Sequence, residues 1–114
     1  MTGNRKLTPT RLRRTGNPPL LILTSLASGP KHGHGLAKDI ESFAGVKLGP
    51  GTLYGAITRL EERGFIQPLD SQDRRRPYRI TETGAKALAG AIAEMQQLSQ
   101  VGALRLGFPV GLTS

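Results

Sequence analysis

The chain has 114 residues, enough for one domain with one modest core. It holds no Cys and no Trp, and aromatic residues make up 4 %, which excludes a disulfide framework, thiolate metal ligands and a cysteine nucleophile and leaves the core to Leu, Ile, Val and Ala. The formal charge of +8 favours polyanions, either nucleic acid or an anionic membrane surface.

That charge is uneven. Arg5, Lys6, Arg11, Arg13 and Arg14 lie in the first seventeen residues with no acid among them, whereas the rest of the chain carries eleven bases against eight acids. Residues 1–17 read as a basic flexible arm suited to lying along phosphates, against the plainer reading of a solubilising tail. Arg13-Arg14 followed by the apolar run 20–27 imitates a secretory signal. Pro18-Pro19 suits a helix start better, and the run is far shorter than the ~20 apolar residues that span a bilayer. No membrane partner and a cytoplasmic setting are therefore expected.

Pro18 and Pro19 open a first helix, apolar on most sides, with Leu20, Leu23 and Ala27 on one face and Ile22 and Leu26 on another. Some of that surface is expected to meet a second subunit. Ser28-Gly29-Pro30 ends it. Residues 31–35 read as a turn, and residues 36–44 as a second helix with Leu36, Ile40 and Phe43 at helical spacing and Gly45 as its stop. Gly49 and Pro50 then take the N-cap and first position of a third helix. Leu53, Ile57 and Leu60 form its apolar stripe. At ~100° per residue Gly55, Thr58 and Glu62 point away, with Tyr54 and Arg59 on the flanks, until Gly64 stops the helix.

Residues 65–69 and 77–81 read as two short strands, with Tyr78 and Ile80 on one face and Arg79 on the other. The tip between them, residues 70–76, carries Arg74, Arg75 and Arg76. Thr81 caps a last helix that begins with Glu82 and extends to about Leu106, with Leu88, Ile92 and Met95 on one face. Residues 107–114 form a tail. The predicted fold is mainly α with a small β-hairpin wing, a winged helix-turn-helix over residues 18–81 with a C-terminal dimerisation helix over 82–106.

A helix with a small, polar outward face can enter the major groove, and a basic hairpin beside it can reach the backbone. Thr58 and Arg59 are the candidates for base edges, since Arg can give two hydrogen bonds to guanine O6 and N7. Thr52 and Tyr54, in the first turn, are candidates for phosphate or sugar contacts. For Thr52 a local capping role weighs equally, and for Tyr54 the rival reading is a core aromatic. Arg59 has the rival role of pairing with Glu62 on the surface. Arg74, Arg75, Arg76 and Arg79 complete the DNA-binding set; three adjacent guanidiniums at a tip fit phosphate contact or minor-groove insertion better than folding. Leu20, Leu23, Leu88, Ile92 and Met95 are the expected dimer surface.

His32 and His34, two apart with no Cys nearby, offer thin support for a metal site, and turn histidines are the simpler reading. No cofactor is expected. There is no Gly-x-Ser-x-Gly, no Walker loop and no acid/base pair, so the chain does not read as an enzyme.

Gly51-Thr-Leu-Tyr54, Arg59-Leu-Glu61, Gly64-Phe-Ile66 and Tyr78-Arg-Ile-Thr-Glu-Thr-Gly84, in this order, resemble the PadR family of bacterial winged-helix transcriptional regulators across about residues 20 to 95. The wing Asp73-Arg-Arg-Arg76 also resembles that of the MarR family, but the Gly-Thr-Leu-Tyr start favours PadR. The resemblance implies a homodimer whose C-terminal helix packs across the partner, two recognition helices on a near-palindromic operator, and repression often relieved by a small-molecule effector. The family's frequent Gly-Tyr at the second helix stands here as Gly33-His34. The Trp that some ligand-responsive relatives place at the dimer centre has no counterpart, so aromatic stacking of a drug does not carry over. Two other functions stay open at this point: a non-specific nucleoid-type protein, and a protein-interaction module on the same scaffold.

Overall fold

Local start and stop signals set most element boundaries. In the computed structural model, which describes residues 17–71 and 76–108, helix α1 spans Pro18–Leu26. The Asn17 side chain caps it by accepting from the Leu20 amide at 3.2 Å, and Pro occupies the first turn, where its missing N–H costs nothing. Helix α2 spans Gly33–Ala44, three residues earlier than the periodicity predicts. The reason is His32. Its Nδ1 accepts from the Gly35 amide at 3.4 Å and its carbonyl from the Leu36 amide at 2.9 Å, so the expected turn becomes the first turn of the helix. Gly45 ends α2 at φ +68°, a left-handed conformation that Gly adopts without a Cβ penalty.

Helix α3 spans Pro50–Glu62, with Gly49 at the N-cap and the left-handed Gly64 just beyond the Arg63 C-cap. Strands β1 (Ile66–Pro68) and β2 (Tyr78–Ile80) pair antiparallel, with Gln67 opposite Arg79. Backbone bonds Thr81 to Phe65 (3.0 Å) and Leu69 to Pro77 (2.8 Å) extend the ladder by one residue at each end, the limits expected from the sequence. Lys31 adds a pairing that periodicity does not show. Its N–H and C=O bond to the Tyr78 C=O and N–H at 3.1 and 2.9 Å, so β2 is held from both sides.

Helix α4, Glu82–Leu106, starts at Thr81. The Thr81 hydroxyl accepts from the Gly84 amide at 3.0 Å and donates to the Gly64 carbonyl at 2.6 Å, joining the start of the last helix to the end of α3. Removing it (Thr81→Ala) is expected to cost about 1 kcal/mol, the usual value of an N-cap. A denaturant midpoint unchanged from the parent protein would show that the cap contributes nothing.

The core lies where α1, α2, α3, β1 and the start of α4 meet. Ile22, Leu26, Leu36, Ile40, Ile57 and Ile66 are fully buried, and each such side chain stabilises by about 2 kcal/mol. Phe43 departs from the expected stripe and is 47 % exposed. It sits ~60° around the helix from Ile40, at the stripe's edge, while Ala44 takes the covered position.

Among the described residues, one polar side chain, that of Ser25, is buried in this core. Ser25, 1 % exposed, donates to Asp39 Oδ2 at 2.6 Å. Lys31 Nζ donates to the Ser25 carbonyl (2.6 Å), Ser28 Oγ (2.8 Å) and the Gly29 carbonyl (3.4 Å), and lies 4.0 Å from Asp39 Oδ2. The ammonium thus satisfies carbonyls at the C-terminal end of α1, where the helix dipole favours a cation. A buried hydroxyl without its acceptor would cost more than the bond itself is worth. The network therefore holds α1 and α2 in one relative orientation, and that orientation carries α3.

Candidate nucleic-acid interface

Helix α3 buries Leu53, Ala56, Ile57 and Leu60 and leaves the opposite face to Gly51, Gly55, Thr58 and Glu62. Two glycines and one threonine make the N-terminal half of that face shallow, a shape that a groove wall can approach closely. The Thr58 hydroxyl donates back to the Tyr54 carbonyl at 2.9 Å, which leaves its methyl and its acceptor lone pairs outward. Thr52 is exposed in the first turn, and the Gly49 N-cap provides no side-chain bond there.

Tyr54 is 49 % exposed and is not a core aromatic. Its ring edge lies directly over Gly33, and a Cβ at Gly33 would overlap the phenol oxygen and the adjoining ring carbons. The first position of α2 thereby serves as the seat for a side chain of α3. Tyr78 lies on the same flank. Burial pushes its phenol above the ordinary value of 10.0; the Glu61 carboxylate and, more weakly, Tyr54 push the same way, while the Arg76 guanidinium pulls it down. Tyr78 is therefore a neutral phenol at physiological pH, at the root of the wing and near α3.

Arg59 is on the other flank. It is exposed, forms no ion pair among the described residues, and runs its guanidinium alongside Gly55. The expected rival pairing with Glu62 is not formed. Arg59 and Arg63 rim a cavity of about 350 Å³ between α1, α3 and α4, floored by Leu20, Leu23, Leu60 and Phe65. Arg63, absent from the sequence-based set, joins Arg59 because the two are one helical turn apart, a spacing readable in advance.

Arg76 and Arg79 are both exposed on the wing. Arg74 and Arg75 lie outside the described residues, as do residues 1–16 and 109–114. The site residues are thus spread along one helix and one hairpin rather than gathered in a pocket, the layout of a surface that follows an extended partner. Of the expected dimer residues, Leu23 and Leu88 are 5 % and 7 % exposed within the protomer's own core. Leu20 and Met95 are half-buried and Ile92 is 40 % exposed. Among the described residues no group of three His, Cys, Asp or Glu is placed to hold a metal, and His32 is occupied as a helix cap. No described helix is long and apolar enough to cross a membrane.

A helix-turn-helix of α2 and α3, with an antiparallel hairpin following and a long helix closing the domain, defines a winged-helix protein. The chain belongs to the transcriptional regulator PadR-like family, whose profile matches residues 22–90. A transcriptional regulator from Clostridium thermocellum is similar in structure, with a TM-score of 0.67 and 30 % identity over 73 % of this chain and 86 % of that one. A PadR family transcription regulator from Clostridium difficile R20291 has a TM-score of 0.68 at 25 % identity, over 77 % and 96 % of the two chains. An uncharacterized 37.1 kDa protein in transposon TN4556 of Streptomyces fradiae is 41 % identical over 86 residues. The match takes in 75 % of this chain but spans only 25 % of that relative's length.

Proposed function

We propose that this chain acts as a dimeric repressor on a near-palindromic operator, with α3 in the major groove and the wing on flanking phosphates. The observation that carries the reading is the shallow outward face of α3, edged by the unpaired Arg59 and the exposed Tyr54. In this role Thr58 and Arg59 meet base edges. Thr52 and Tyr54 hold the backbone beside them, and Arg74, Arg75, Arg76 and Arg79 add contacts that set affinity more than sequence choice. The basic arm adds further non-specific affinity. Relief by a small molecule belongs to this reading, and the cavity beside Arg59 has a volume within the usual range for such ligands.

Anisotropy binding to duplex tiles of the gene's own upstream region, against scrambled duplex at near-physiological salt, tests the whole. Tight binding to one tile supports the regulator. Equal binding to all tiles favours a nucleoid-type protein, and no binding favours a protein-interaction module.

The dimer would form along α4. Beyond Leu88 no residue of that helix is buried, and Ile92, Leu98, Leu104 and Leu106 are all at least 40 % exposed. Exposed apolar side chains along one helix gain by being covered by a second copy. Because Leu88 belongs to the protomer's core, the informative variant is Ile92→Asp with Leu98→Asp. It is expected to sediment as a folded monomer and to bind a two-half-site operator about a hundredfold more weakly, through loss of the linked second contact. A variant that remained dimeric would remove α4 from the interface.

A further inference from the structure

On the outer face of the wing, Gln67 and Arg79 stand directly opposite in the β1–β2 register. Arg79 Nη2 donates to Gln67 Oε1 at 3.0 Å, and Nη1 donates to the Ile80 carbonyl at 3.4 Å. Both side chains are exposed. We propose that Gln67 is a positioning residue for Arg79, fixing the guanidinium in one orientation for a DNA phosphate without cancelling its charge. The proposal rests on the reading of Arg79 as a DNA contact.

Three features carry it. The first is the chemistry of the acceptor. A carboxylate at position 67 would hold Arg79 more tightly, but it would also neutralise the charge that a phosphate needs; an amide oxygen orients without neutralising. Among the described residues no carboxylate lies within ion-pair distance of Arg79, so its full charge faces solvent. The second is donor economy. A guanidinium has five N–H donors, and the two bonds formed leave the others free for a partner. The third is the base on which the pair stands. β2 is bonded to β1 on one side and to Lys31 on the other, so the Arg79 backbone is held while its long side chain would otherwise sample many rotamers. Ordering that side chain before binding removes part of the entropic cost of the contact. The pair adds little to folding because it is exposed, so its value lies in orientation.

The test uses the full chain and a labelled short duplex of mixed sequence, since phosphate contacts do not depend on base sequence. Anisotropy affinities are measured over a salt series for Gln67→Ala, Gln67→Glu, Arg79→Ala and the Gln67→Ala, Arg79→Ala pair, with thermal midpoints alongside. Arg79→Ala is expected to lower the slope of log affinity against log salt by about one. Gln67→Ala keeps the charge and loses the orientation, so affinity falls about threefold while the slope stays. Gln67→Glu keeps the orientation and loses the charge, so the slope falls as it does for Arg79→Ala. In the Arg79→Ala background, Gln67→Ala has no further effect, and midpoints stay at the parent value for both Gln67 variants.

A Gln67→Ala loss that is the same with or without Arg79, or no loss at all, overturns the positioning role while leaving Arg79 as a contact. An Arg79→Ala protein with parental affinity and slope overturns the reading of Arg79 itself, and the role of Gln67 with it.

Discussion

Gly84→Ala is expected to lower the stability of the protein by about 2–3 kcal/mol, near the upper end of what overpacking one methyl costs. Gly84 is buried in the first turn of α4, and a Cβ there would overlap the Phe65 carbonyl oxygen and crowd Ile80 Cγ1. The neighbour is backbone and cannot swing aside. Moving it would also disturb the bond from the Thr81 amide to the same carbonyl (3.0 Å) and the adjoining bond from the Thr81 hydroxyl to Gly64 (2.6 Å). Helix propensity acts in the opposite direction, since Ala is favoured over Gly by about 1 kcal/mol within a helix. The clash is therefore expected to win by a margin that lowers the thermal midpoint by roughly 10 °C. Gly90, on the same helix, has open space around its Cβ position, and Gly90→Ala should raise the midpoint instead. If both substitutions raised it, the close approach of α4 to Phe65 would not exist in solution.

The contrast between these glycines separates what can be read along a chain from what requires the fold. Gly45, Gly64, Pro50 and Thr81 act on their own backbone neighbours, so residue type and position announce the helix ends. Alternation places Tyr78 and Ile80 inward and Arg79 outward for the same reason. His32 escapes that logic because a ring nitrogen rarely serves as a cap, and α2 consequently starts earlier than its apolar spacing suggests. The Lys31–Tyr78 bridge is a single paired residue and has no period to detect. Ser25 leaves a faint signal, a hydroxyl inside an otherwise apolar helix, but its partners Asp39 and Lys31 are found only when α1 and α2 cross. The site divides along the same line. The outward face of α3 and the company of Arg59 and Arg63 follow from angular spacing alone, whereas the seat of Tyr54 on Gly33 and the bond from Arg79 to Gln67 are tertiary. Leu23 and Leu88 show the limit for interfaces: the sequence places both at a dimer surface, yet they lie in the protomer's own core, and an apolar stripe does not mark where that core ends.

Gly33→Ala is expected to weaken DNA binding about tenfold while leaving the fold close to its parental stability, the loss of one good hydrogen bond to a charged group. Gly33 has a negative φ, so Ala meets no backbone penalty, and at the start of α2 it meets no helix-propensity penalty either. The three atoms nearest the new methyl all belong to the outer end of the Tyr54 side chain, which is half exposed and has solvent to turn into. What changes is where the phenol points. In the proposed complex that hydroxyl reaches the DNA backbone from the N-terminal half of α3, so a displaced ring costs affinity on every sequence rather than discrimination between sequences. Tyr54→Ala removes the same contact directly, and the two substitutions together should be no worse than Tyr54→Ala alone, because they act through one group. Binding measured on a mixed-sequence duplex, with thermal midpoints for each variant, decides it. A Gly33→Ala protein that binds as the parent does would show that the Tyr54 hydroxyl is not a contact. A loss of stability without a loss of affinity would make the Tyr54–Gly33 seat a device for docking α2 on α3 and nothing more.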